Sequence, residues 1–367
     1  MIRSALPGLA LLLASSSCRS VEQALAPREE VCPVPGGERV DDLIQDGERH
    51  FARLWKITAG GENAEGYWSF AGDRLVFQRT DPEHGVDCDR IYVTAPGGTP
   101  RQISNGRGIT TCAFFLPGDD RVLYATTQAH HDLCPPKPGR EEGYVWAIHP
   151  QYDIVVRDLR NGSERTIIGD WGYDAEATLS PKGDRVVYTS TASGDLELWT
   201  CDFDGSNRLQ VTDQPGYDGG AFFSHDAEWL VFRSTSFDPA DYEAAVGEYE
   251  RLLARWLVRP SDMEIMLVRP DGTDRRQVTQ LGGANWAPYF FPDDSRILFC
   301  TNHHGSPREF DLFAIDVDGS RLERITTYEG FDSFPMFSPD GRWLAFASNR
   351  GGETPGETNL FVAEWRD

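Results

Sequence analysis

Apolar and polar positions along this chain recur as one unit. Six segments each put small or apolar residues before a polar turn, then run on in β-forming residues to an aromatic. They are YWSFAGDRLVF (67–77), FFLPGDDRVLY (114–124), TLSPKGDRVVY (178–188), FFSHDAEWLVF (222–232), YFFPDDSRILF (289–299) and MFSPDGRWLAF (336–346). In the last, Ser338-Pro339-Asp340-Gly341 is a turn in which proline presets φ and glycine accepts the left-handed region. The apolar residues on either side predict the two strands of a hairpin. A third and a fourth strand follow, as in 90–104, 197–212, 264–279 and 311–326, joined at Asp-Gly or Gly-Gly.

Four antiparallel strands per unit describe a propeller blade. The closing aromatics are Phe77, Tyr124, Tyr188, Phe232, Phe299 and Phe346. Three of the steps between them match the ~40–50 residues of a blade, and the two longer ones mark insertions. The C-terminal unit has only three strands of its own, ending in NLFVAEW (359–365), while ARLWKIT (52–58) matches the fourth strands elsewhere in type. The predicted fold is therefore all-β: a six-bladed propeller over 49–367, closed by an N-terminal strand that completes the last blade, with one short helical insertion.

The Ser-Pro-Asp-Gly turn, the trailing Asp-Gly hairpin and the final Val-Thr or Ile-Thr together resemble the TolB-type propeller repeat. The whole-chain pattern is similar to exported bacterial proteins labelled TolB-like or "biopolymer transporter Tol", through HFARLWKITAGGENAEGYWSF (50–70), GYVWAIHPQYDI (143–154) and GGANWAPYFFP (282–292). The resemblance implies a docking platform in the cell envelope. It does not extend to the N-terminal α/β domain of TolB, because the polar stretch 18–48 is too short for one.

Composition sharpens this picture. The 36 glycines and 23 prolines punctuate the whole chain, as many short strands require, and the net charge of −23 opposes binding to a phosphate backbone or to anionic lipid head groups. The N-terminus predicts a signal peptide over 1–17: Arg3, an apolar stretch from Leu6 to Ala14, then small residues before Cys18. That end resembles a lipoprotein signal, which would make Cys18 the lipidated residue of an exported, periplasmic or surface-held chain. Among the other cysteines, one bridge within Cys88, Cys112 and Cys134 is expected, while Cys201 and Cys300 sit in apolar strands and should be buried thiols.

The chain has no G-x-S-x-G elbow, H-E-x-x-H helix or phosphate-cradling glycine loop. Both insertions fall on one propeller face. The first, 128–150, carries His130 and His131; the second, 236–260, carries Tyr242, Val246, Tyr249, Leu252, Leu253 and Trp256 at helical spacing, a stripe suited to packing on the propeller. His303 and His304 occupy the corresponding loop of the fifth blade, and with His130 and His131 they are the weak candidates for a metal site. Five residues before the aligned apolar positions of the first strands stand Asn63, Thr110, Asp174, Asp218, Asn285 and Asp332. They are expected to ring the channel mouth, either as turn caps or as a funnel for a ligand or a channel-bound cation. No cofactor is predicted. The expected function is a non-catalytic, monomeric envelope module that docks a protein or a glycan on its insertion-bearing face. The alternative is a propeller enzyme, a metal-assisted polysaccharide lyase or hydrolase, with its site at the channel mouth.

Overall fold

The structure, a computed structural model, describes Met1 and residues 31–367; Cys18 and the signal-like stretch lie outside the described residues. Residues Cys32–Asp367 form one unit. Six sheets, each ordered outward from its innermost strand, follow one another along the chain. Blade 1 is Glu62–Trp68, Leu75–Asp81, Val86–Val93 and Arg101–Gln102. The innermost strands of blades 2 to 6 are Thr110–Phe115, Asp174–Leu179, Asp218–Phe223, Asn285–Phe290 and Asp332–Phe337. Each second strand buries the aromatic that closes the sequence unit: Phe77, Tyr124, Tyr188, Phe232, Phe299 and Phe346 are all at most 2% exposed. Packing of these rings between neighbouring sheets holds the blades together.

The Val-Thr or Ile-Thr that ends a unit has a specific task. The hydroxyls of Thr212, Thr279 and Thr326 accept the backbone N–H of Leu198, Ile265 and Leu312 at the start of the adjoining third strand, at 2.8–2.9 Å. Thr58 does the same for Leu360 at 2.9 Å, although 302 positions separate them. The strand Phe51–Lys56 pairs antiparallel with Asn359–Trp365, so the outer strand of blade 6 comes from the N-terminal side of the ring.

The stretch expected as a polar linker up to residue 48 is, from Cys32 on, part of this body. Glu38–Arg39 adds a fifth strand to blade 6, and Val34 is 1% exposed within the core. Glu48 is buried because Arg350, itself fully buried, binds both its oxygens at 2.8 and 3.0 Å and also binds Asp332 Oδ2 at 2.8 Å. The polar composition of this stretch is thus misleading: one of its carboxylates, Glu48, is buried against an arginine of the last blade.

All six innermost strands share one irregularity. After two paired residues, or three in blade 1, the register shifts by one extra residue, as between Ala64 and Tyr67 or Ala175 and Thr178. The residue at the shift has left-handed φ in every blade: Glu65, Cys112, Glu176, Gly220, Ala287 and Phe334, with φ between 46° and 62°. Such a bulge turns a strand and re-aims a side chain.

Candidate functional site

The two insertions meet over the channel. Trp146–Ala147 of the first pairs antiparallel with Leu257–Val258 of the second, and a disulfide joins Cys134 of the first to Cys88 in the third strand of blade 1. This bridge lies within the trio of cysteines expected to supply one; Cys201 and Cys300 are buried thiols. The helix Tyr242–Leu253 buries Tyr249 and Leu252 beneath the second insertion, with Leu253 and Trp256 half-buried beside them. The Tyr249 hydroxyl donates to Asp195, so the C-terminal part of the predicted stripe lies against the propeller, whereas Tyr242 at its start is exposed.

Under this roof lies a chamber of about 1170 Å³. All six bulge residues line it, together with Tyr67, Tyr152, Tyr173, Tyr217, Trp146 and Trp286. Its electrostatic centre is Glu176. Arg233 Nη2 and the Tyr217 hydroxyl donate to its Oε1 at 2.6 and 2.7 Å, while the Thr189 hydroxyl and the Gly220 N–H donate to its Oε2, each at 2.8 Å. Burial raises the carboxyl, but Arg233 and these donors overcome it and hold Glu176 below its ordinary value. The glycine pair of blade 4 makes room for this ion pair: a Cβ at Gly220 would come within 2.1 Å of Arg233 Nη1, and one at Gly219 within 2.3 Å of Glu176 Oε2. Arg233 also lies over the Tyr217 ring, 4.6 Å from its centre.

Glu65 differs. Its carboxyl is pushed up to about 7 by burial, with Glu176 and Asp89 adding to the shift, and its hydrogen-bonding neighbour is the Cys112 thiol. Asp89, by contrast, accepts the Thr80 hydroxyl at 2.6 Å.

The ring expected from the sequence sits elsewhere. Asn63, Thr110, Asp174, Asp218, Asn285 and Asp332 do begin the inner strands, yet they are 0–4% exposed, and only Asn63 touches the chamber. Because the bulge follows them, their side chains turn between blades. The Asn63 amide donates to Thr358 O at 2.9 Å, the Asn285 amide to Met263 O at 2.7 Å and the Thr110 hydroxyl to Asp89 O at 2.9 Å. Asp218 is paired with Arg275 at 2.9 Å and Asp332 with Arg350. Asp174 has the Ser190 hydroxyl, and burial pushes it up to about 6. These six positions thus sit between blades rather than around the channel mouth, and two of the three carboxylates are engaged by arginines.

The histidine pairs do not combine either. His130 meets Trp171 edge to face and lies 3.6 Å from Asp153, while His131 is exposed. His304, with Glu309 and Asp311, forms the one group of three ligand types within 4.8 Å among the described residues. His304 Nε2 is 2.6 Å from Asp311 Oδ2, but Arg324 already binds that carboxylate. His303 Nδ1 lies 3.1 Å from the Thr301 hydroxyl, and His303 stands outside the trio.

Two signals for the chamber stood in the sequence: Glu65 and Glu176 occupy the position where other blades carry Cys112, Gly220, Ala287 or Phe334, and Arg233 follows a closing aromatic where other blades carry Gln78, Ala125, Thr189, Cys300 or Ala347. The disulfide that pins the roof yields a prediction. Replacing Cys88 and Cys134 by alanine frees a loop of 46 residues, which should lower stability by about 2–4 kcal/mol. Limited proteolysis should then cut the first insertion faster than any blade turn; unchanged cleavage would show that strand pairing alone holds the roof.

The TolB beta propeller domain profile matches residues 257–355. A TolB homolog of Chlorobium luteolum is 30% identical over 147 residues, which cover 35% of this chain and 34% of that protein, so the match spans about a third of the relative's length. The solved TolB of Acinetobacter baumannii aligns at TM-score 0.55 and 16% identity, over 80% of this chain and 65% of that one. A gluconolactonase of Xanthomonas campestris aligns at TM-score 0.57 and 15% identity, over 90% and 99%. At such identities the solved structures show the fold alone. Repeat and blade architecture agree on a six-bladed β-propeller, and residues 257–355 of it match the TolB beta propeller domain.

Proposed function

We propose that this protein is an exported binding module whose partner, a protein or a glycan of the cell envelope, engages the roofed chamber on the insertion-bearing face. The observation that carries this reading is the chamber itself: about 1170 Å³, walled by aromatic rings and covered by the only two long insertions the propeller has. Concave, largely apolar sites with a few placed polar groups are where ligands bind. Exposed Tyr144 and Leu133 extend the apolar surface onto the roof. Export, and an anchor at Cys18, rest on the sequence of the N-terminus and complete the reading; the net charge of −23 favours a basic or neutral partner over nucleic acid.

A second reading, an enzyme of the lyase or hydrolase type, draws on Glu65, a carboxyl poised near neutrality inside a cavity. Against it, every lone-pair direction of Glu176 is already taken, so the carboxylate at the centre of the chamber is committed to the fold.

The test is a photo-cross-linking residue placed at Tyr144, on the roof, or at Asp271, in an outer turn of the opposite face, with the intact protein in envelope extracts. One adduct from Tyr144 and none from Asp271 is expected. Equal adducts from both positions, or adducts only from Asp271, would remove the chamber from the function.

A further inference from the structure

The chamber wall holds several ionisable side chains; Glu62, Asp87, Lys137 and Arg308 are solvent-exposed and His149 is half-buried, and of the remaining charged groups all but one are already matched. Glu176 is saturated by four donors, and Arg233 is committed to Glu176. Asp89 is served by Thr80 and, at 3.4 Å, by the Gln78 amide. On the roof, Arg259 donates to Glu142 O at 2.9 Å and approaches Glu248 at 3.4 Å. Glu65 is the exception. It projects from a bulge into the cavity, and among the described residues no lysine or arginine hydrogen-bonds to it; its neighbour is the weak donor of Cys112.

A partly buried carboxyl next to a thiol is unfavourable to ionise, and this chain nonetheless places it on a strand position where a neutral residue would fit, as Ala287 does in blade 5. The groups facing it set the local sign of charge. Of the charges that act most on Glu65, Glu176 and Asp89 are negative and Arg233 is positive, while Cys112, Tyr67 and Tyr152 are neutral, so these nearest groups sum to a negative field. The solvent-exposed Glu62, Asp87, Lys137 and Arg308 and the half-buried His149 and Arg259 also line the chamber and act on Glu65 less. Tyr67, Tyr152, Phe222 and Phe334 supply ring faces on the same cavity wall. One unneutralised carboxyl, a negative field and several ring faces make a receptor for a positive charge carried on an apolar stem.

We propose that the chamber takes an organic ammonium or guanidinium group of its ligand, seated against the Glu65 carboxylate and the surrounding aromatic rings. This rests on the chamber being the binding site and names the chemistry that it selects. The cation supplies what the fold withholds, an opposite charge for Glu65, and binding drives the Glu65 proton into solvent. With a carboxyl at about 7 in the free protein, affinity for a permanent cation should rise about tenfold from pH 6.0 to 8.5 and level off above that.

The probes are phenethylammonium, cationic at both pH values, and its neutral counterpart 2-phenylethanol, titrated calorimetrically into the intact protein. At pH 8.5 the ammonium should bind at least tenfold more tightly than the alcohol. The preference should shrink about tenfold at pH 6.0, and it should vanish at both values in Glu65→Gln, a change that retains the side-chain shape; alcohol binding should not move. Glu176→Gln is no control, because Glu176 holds two blades together. A second measurement guards against misfolding: Glu65→Gln should keep the native melting temperature and the Tyr144 cross-link. Equal binding of the two probes, or an ammonium preference that survives Glu65→Gln, overturns the assignment. Binding of neither probe while Tyr144 still cross-links its partner overturns it too and leaves the docking reading intact, whereas loss of that cross-link in the native protein removes the docking reading itself.

Discussion

A chain shortened to begin at Gly60 should fail to fold cooperatively, or should melt far below the native protein. The deleted stretch takes with it Phe51, Leu54, Trp55 and Ile57, each at most 6% exposed. At roughly 1.5–3 kcal/mol for each large buried side chain, that is on the order of 8 kcal/mol, against a total stability of about 5–15 kcal/mol for a typical domain. The loss goes beyond area. Asn359–Trp365 would become an unpaired edge, the Leu360 N–H would lose the Thr58 hydroxyl, and Arg350 would lose Glu48. Circular dichroism on heating and in urea would measure it. Supplying residues 31–59 as a separate peptide should restore part of the transition, since the groove it fills is formed by strands that remain. A shortened chain melting with the native midpoint would mean that the ring does not depend on this strand.

Arg350→Met should cost about 3–5 kcal/mol, because it leaves two carboxylates buried without their cation. Arg350 has no exposed side-chain surface, makes ion pairs with both Glu48 and Asp332, and donates Nε to Ser348 Oγ at 3.1 Å. Methionine keeps much of the volume, so the loss reports charge more than packing. Combining Arg350→Met with Glu48→Gln and Asp332→Asn should recover most of the stability, as neutral amides can accept the remaining donors. Urea midpoints of the single and triple variants decide the matter. If the triple variant is no more stable than the single, the interaction is one of shape and the ion-pair account fails.

This arginine also explains why the residue ring was misplaced. Aligning the inner strands identified six equivalent positions correctly, and their Asp and Asn character was real. Equivalence in sequence established a shared role but not its direction. A polar residue at the start of an inner strand can serve the channel or the gap between blades, and the extra bulge residue that follows sends it to the gap. Asp332 meets Arg350 there, and Asn285 meets the backbone of Met263. The channel-facing set lies two residues further on and has no residue type common to all six, from Glu65 and Glu176 to Gly220 to Phe334, so aligning the blades by shared chemistry does not single it out.

What the sequence determined by itself was the repeat and its closure. Periodic turns, closing aromatics and terminal threonines are local signals, each fixed by hydrogen bonds or packing within a few strands, as with Thr326 and Leu312. Thr58 and Leu360 could be matched across the chain because the last blade repeats that same local chemistry. Only the tertiary structure decided which side chains share the chamber. Glu176, Arg233 and Gly220 come from blades 3 and 4, Glu65 and Cys112 from blades 1 and 2, and the roof from two insertions distant in sequence but paired at Trp146 and Val258. Their meeting depends on ring geometry and on one bulge per blade. Those are properties of many strands at once, and short-range pattern carries no record of them.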